Sequence, residues 1–151
     1  MGKSTRPITQ IDHARAGIVT PQMEEVARKE GRDPEYIRER VAAGTIAIPA
    51  NIHHASLSPE GVGEGLRTKV NVNLGISGDS GKTQSFRTRL IDRSPAMIGT
   101  VPMYDAIGYL EKALISITAE DFLDVVRRHA EDGVDFVTIH AGMNRRVIES
   151  F

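Results

Sequence analysis

Three short apolar runs in the second half of the chain each end in a polar residue that packing does not require. They are Lys69-Val70-Asn71-Val72-Asn73-Leu74-Gly75, Met97 to Tyr104, and Val134 to Gly142. Short and rich in β-branched residues, they predict strands at 69–74, 96–101 and 134–139. Between them the period lengthens to that of a helix. Gln84 to Asp92 brings Phe86, Leu90 and Ile91 to one side, and Asp105 to Leu114 does the same with Ile107, Leu110 and Leu114. Phe122, Val125, Val126 and Ala130 form a helical stripe. Ahead of it, Thr118-Ala119-Glu120-Asp121 reads as a capping box with Asp in the usual place of Glu or Gln, and Gly133 closes the helix. A last helix is expected from Arg145 to Phe151. The order from residue 69 is β, α, β, α, β, α, and such alternation predicts a parallel sheet.

The first half reads differently. Residues 1–12 are polar without a period and are expected to be loose. Thr20-Pro21 and Asp33-Pro34 each pair an N-cap with a proline at the first helical position. The apolar faces are Met23, Val26 and Ala27, then Tyr36, Ile37 and Val41, with Gly31 and Gly44 as stops. Ile46-Ala47-Ile48 is a short extended run ended by Pro49. Residues 50–67 hold three glycines, a proline and two histidines with no period, which predicts a loop. The expected organisation is a helical region with an irregular connection over residues 1–65, then a βα segment over 66–151.

Composition narrows the function. The 151 residues are enough for a packed core. A net charge of -1 supplies no field that would draw nucleic acid or an anionic membrane. No apolar run approaches the ~20 residues of a membrane span. Met1 to Pro7 lacks the apolar stretch of a secretory signal, so a cytoplasmic location is expected. There is no cysteine, so these residues offer no disulfide, zinc thiolate or cysteine-held iron–sulfur cluster.

The glycine-rich turn Gly75-Ile76-Ser77-Gly78-Asp79-Ser80-Gly81-Lys82-Thr83 imitates a phosphate loop, but its spacing fails. The motif needs a glycine where Ile76 stands, and Gly75 comes one position early. A glycine-rich βα connection is the better reading. His53 and His54 lie in the loop with free directions, and His13 is expected to be solvated. His129 sits beside the Phe122–Val126 stripe and reads as a boundary histidine rather than a ligand. No histidines have metal-binding helical spacing. His140, by contrast, follows β-type residues and precedes Ala141-Gly142, where small side chains leave room for a ligand. Asn71 and Asn73 share one face of their strand, although Asn is rare in strands. Tyr104 follows Val101-Pro102. Ligands of parallel α/β folds sit beyond the carboxyl ends of strands, so Asn73, Tyr104 and His140 are the candidate binding residues. Arg145 and Arg146 are a weaker pair, better read as a solvated helix start.

Ile48-Pro49-Ala50-Asn51-Ile52-His53-His54, Lys69 to Gly75, Ser94 to Tyr104 and Thr138-Ile139-His140-Ala141-Gly142 occur in the order that resembles the phosphomethylpyrimidine synthase family. The stretch Ala14 to Met23 fits as well. The resemblance implies an α/β fold, part of a (β/α)₈ TIM-type barrel after a short helical N-terminal region. It implies a radical S-adenosylmethionine reaction that converts 5-aminoimidazole ribotide to 4-amino-2-methyl-5-pyrimidine phosphate for thiamine. It also implies a [4Fe-4S] cluster, S-adenosylmethionine, a metal ion such as zinc, and a homodimer. Asn73, Tyr104 and His140 match family positions that contact the ribotide. The ligands of the cluster and the metal have no counterpart in these residues. A helix, a strand and a Met-Asp-Leu-Ser block expected after Ser-Gly-Asp are also missing, which puts a seam at Ser80/Gly81. Two further readings stand beside this one: a 5-hydroxybenzimidazole synthase-like enzyme, and a non-catalytic ribotide-binding fragment.

Overall fold

The computed structural model describes residues 9–71, 83–109 and 116–139. They fall into two compact units. The first takes residues 9–50, 57–71 and 95–97; the second takes 51–56, 83–94, 98–109 and 116–139.

The first unit is led by three helices: α1 (Gln10–Arg15), α2 (Pro21–Glu30) and α3 (Pro34–Ala43). The caps predicted for the second and third are formed. Thr20 Oγ1 accepts from the Met23 N–H and Asp33 Oδ1 from the Glu35 N–H. Gly31 and Gly44 end these helices at φ 63° and 78°, a left-handed turn that costs a residue with a Cβ. Helix α1 departs from the expected loose start. Thr9 and Asp12 cap it reciprocally, side chain to backbone in both directions, the same Thr-x-x-Asp box as at Thr118, here set in a polar stretch without the apolar period that marks a helix. Ala14, Met23, Val26, Ala27, Ile37 and Val41 from the helices meet Ile46 and Ile48 in the core. Each large aliphatic side chain buried there contributes about 1.5–3 kcal/mol.

Strand β1 (Ile46–Ala47) pairs antiparallel with β2 (Val62–Gly63), Ile46 opposite Gly63. The rest of the predicted loop is irregular, and helix α2 holds it by its C-terminal charges. Lys29 Nζ donates to the Ser58 and Pro59 carbonyls and to Glu60. Glu30 accepts from the Arg67 N–H and from Lys69. Burial opposes ionisation of the Glu30 carboxyl, but those two bonds win and hold it below the ordinary range.

The strand expected from residue 69 is not formed over its described part. Residues 69–71 are not in a strand; Val70 is 85% exposed and Asn71 is exposed too, so the inward face that alternation predicted is not formed there. Residues 72–74 lie outside the described ones.

In the second unit, β3 (Gly99–Thr100) and β4 (Phe136–Val137) pair in parallel, Gly99 opposite Phe136 and Thr100 opposite Val137. The parallel pairing agrees with the alternation; both strands are shorter than the expected 96–101 and 134–139. A Cβ at residue 99 would fall 2.1 Å from the Phe136 ring, so glycine is what lets that ring lie against β3. Helix α4 (Thr83–Arg93) precedes β3, while α5 (Pro102–Tyr109) and α6 (Ala119–Glu131) connect it to β4. Helix α5 starts at Pro102, three residues before the expected Asp105, because a proline suits the first helical position. The Thr118–Asp121 capping box forms as predicted. Among the described residues there is no closed barrel and no helix long and apolar enough to cross a membrane.

Candidate functional site

The end of β3 and the start of α5 carry the candidate residue whose position is described. Tyr104 is in the first turn of α5 rather than directly on a strand end, and it is 68% exposed. Asn73 and His140 lie outside the described residues, as do Arg145 and Arg146.

Directly after Tyr104 the chain turns inward. Asp105 Oδ2 accepts from Arg87 Nη1 at 2.5 Å and lies 2.8 Å from His129 Nε2. Arg87 also reaches Asp132 through Nη2 at 2.6 Å and Nε at 3.1 Å. His129 Nδ1 is 2.8 Å from the Thr100 hydroxyl. Three helices and a strand thus meet on one charged cluster. Asp132 caps the C-terminus of α6, where a carboxylate opposes the helix dipole; the Arg87 guanidinium offsets that. The His129 hydrogen bond, then Arg87, hold the Asp105 carboxyl below the ordinary carboxylate range against the cost of burial. A small pocket beside the cluster is lined by Gln84, Arg87, Asp105, Val125, Arg128 and His129.

His129 is therefore not the boundary residue expected. It is 2% exposed and holds partners at both ring nitrogens. The signal was its place four residues after Val125, on the buried side of α6. Arg87, Asp105 and Asp132 left no such mark, since a lone charge on an amphipathic helix reads as solvated. An ionised carboxylate served by a guanidinium and an imidazole is a poor proton donor or acceptor for a substrate. The cluster's effect is to fix the first turn of α5, and with it Tyr104.

A second buried histidine lies in the loop of the same unit. The His54 and Asp135 side chains are both 0% exposed, with Nδ1 2.7 Å from Oδ2. The Asn51 and Ile98 N–H groups donate to the same carboxylate at 2.9 and 2.8 Å.

The model of the radical SAM ThiC family matches residues 9–84 and 79–151. The chain belongs to the radical SAM ThiC family. Phosphomethylpyrimidine synthase of Alkaliphilus metalliredigens (strain QYMF) is 55% identical over 170 residues, covering 95% of this chain and 39% of that protein. The enzyme of the same name from Clostridium tetani (strain Massachusetts / E88) is 56% identical, covering 95% and 37%. That of Pelotomaculum thermopropionicum is 50% identical, covering 95% and 39%. The chain thus spans less than two-fifths of the length of these relatives. Since 95% of 151 residues is about 143, about 27 of the 170 aligned positions have no residue of this chain opposite them.

Radical SAM chemistry needs a [4Fe-4S] cluster, which cysteine thiolates hold. The chain has no cysteine, and among the described residues no three His, Cys, Asp or Glu side chains are grouped to hold a metal ion. The donor set present does not fit the cluster.

Proposed function

We propose that this chain carries part of the substrate-binding side of a phosphomethylpyrimidine synthase, in synthesis of the thiamine pyrimidine. The observation that carries the reading is a family match along both stretches at about 50–56% identity to enzymes of that name. The substrate in this reading is 5-aminoimidazole ribotide. Asn73, Tyr104 and His140 contact it at one rim of a (β/α)₈ barrel of which this chain supplies a part. The parallel β3–β4 pair and its helical connection support that architecture. S-adenosylmethionine, the cluster and a metal ion such as zinc belong to residues of the whole enzyme that this chain does not supply, and the whole enzyme acts in the cytoplasm as a homodimer. The shared name of the relatives favours the thiamine product over the benzimidazole one.

In the same reading, Ser80/Gly81 is a seam where one βα unit of the relatives is missing. The two matched stretches overlap at residues 79–84. The roughly 27 unopposed positions approach the ~30 residues of one barrel unit. A seam also accounts for the phosphate-loop look-alike, which spans it.

Calorimetric titration of the intact chain with 5-aminoimidazole ribotide tests the site. Saturable binding is expected, weakened about tenfold or more in His140→Ala, the scale of a lost hydrogen bond to a charged group. No saturable heat, or equal affinity in His140→Ala, overturns the assignment of His140.

A further inference from the structure

The Asn51-Ile52-His53-His54 segment was singled out for its histidines, yet nothing in the ribotide reading uses it. Its side chains instead grip the second unit at several points. Asn51 Nδ2 donates to the Ala130 and Val134 carbonyls at 2.7 and 2.8 Å, one on each side of the turn from α6 to β4. Asn51 Oδ1 accepts from the His53 N–H at 2.9 Å, which fixes the amide's orientation.

His54 completes the grip, and its partners dictate its protonation. Nε2 faces the Ser94 carbonyl at 2.8 Å, and the Ser56 hydroxyl donates to the same oxygen. A carbonyl oxygen only accepts, so Nε2 carries a proton. Nδ1 faces Asp135 Oδ2 at 2.7 Å. That carboxylate already receives two backbone N–H groups, from Asn51 on Oδ1 and Ile98 on Oδ2, so it stands among donors as their acceptor. Nδ1 thus faces an acceptor as well, and only a ring with protons on both nitrogens satisfies the two together. Its own partners are Ser94, just beyond α4, and Asp135, before β4; Ser56 and Ile98 are bonded to those partners in turn, and Ser56 to Ile91 as well. Asp135 is the ionisable one among its described hydrogen-bond and ion-pair partners.

We propose that residues 51–56 form a proton-dependent latch on the second unit, closed while both ring nitrogens of His54 carry protons. A neutral imidazole donates from one nitrogen only. Loss of a proton then sets a bare lone pair against either the Asp135 carboxylate or the Ser94 carbonyl, in a site where the His54 and Asp135 side chains are fully buried. The segment lets go, and the turn between α6 and β4 loses the Asn51 amide that holds its two carbonyls. The latch is closed on the acid side and loosens as pH rises.

The test is NMR of the intact, isotope-labelled chain, with His54 assigned by through-bond connection inside its own ring. At the acid end of a pH series two ring N–H protons on His54 are expected, and raising the pH removes one. In the same interval the Asn51 and Ile98 amide protons, corrected for base-catalysed exchange, should exchange about tenfold faster, as for an unmade buried hydrogen bond. A single ring proton at the acid end overturns the proposal, and so does unchanged amide protection after the second proton has gone. His54→Gln adds an arm wherever it folds. The pH-dependent step should vanish in it, and a step of undiminished size would count against the latch.

Discussion

The second unit holds two buried His–Asp pairs that differ in how they are supported. In the His54–Asp135 pair both side chains are fully buried, and the aspartate has no cation beside it other than the imidazole among its described bonds. In the His129–Asp105 pair the carboxylate is 20% exposed and is served by the Arg87 guanidinium as well. Thr100 offers His129 a hydroxyl, which can donate or accept, so that imidazole is satisfied with one proton or two. The first pair has a single arrangement that satisfies every member. The second has spare partners. Identical residue types therefore give one brittle lock and one tolerant cluster, and the difference lies in the third and fourth groups around them.

The largest expected effect comes from breaking the brittle pair. Asp135→Ala leaves the His54 Nδ1 and two backbone N–H groups buried without their partner. The expected cost is about 3–5 kcal/mol, the range for an ion pair broken from one side in a buried site. Urea unfolding of the intact chain would read it. A cost under about 1 kcal/mol would mean that water or a side chain replaces the carboxylate, and the contrast between the pairs would collapse.

Asp105→Asn should cost less, about 1–3 kcal/mol, because Arg87 keeps Asp132 and His129 keeps Thr100. The acid side of the stability curve separates it further. The Asp105 carboxyl is lowered from 3.8, first by the His129 hydrogen bond, with burial opposing and Arg87 adding to it. A group whose folded value is below its unfolded one stabilises fully above the unfolded value. That contribution is lost as pH falls through the folded value, so the window lies below about 3.8. The parent chain should therefore lose stability more steeply there than Asp105→Asn. Equal acid slopes would show that Asp105 does not titrate as a partner of His129.

How much of this could be read in the sequence follows from the range of each interaction. The caps at Thr20, Asp33 and Thr118 and the stops at Gly31 and Gly44 are local, and each formed where the residue types put it. The parallel pairing of β3 with β4 followed from alternation alone. Strand 69–74 failed over its described part because a strand needs a neighbour, which no local pattern supplies. Asn51 and His54 were visible as residues, but their partners Ala130, Val134 and Asp135 lie about 80 positions away, so their role was not. Of the candidate residues, Tyr104 lies just past β3 but in a helix rather than on a strand end, because Pro102 starts one.

The finest test of the contrast is Thr100→Val, which keeps the shape of the side chain and removes the hydroxyl facing His129 Nδ1. If His129 is neutral, its Nε2–H goes to Asp105 and its Nδ1 accepts from Thr100. Valine then strands one buried lone pair, at about 1 kcal/mol. If His129 is an imidazolium, valine strands a charged N–H, and the cost rises above about 2 kcal/mol. A tolerant cluster keeps the loss near the smaller figure. Thr100→Ser, which restores the hydroxyl, should recover most of the loss in that case. A large loss in Thr100→Val would make both histidines obligate cations, leaving the Arg87 bridge as what distinguishes the two pairs.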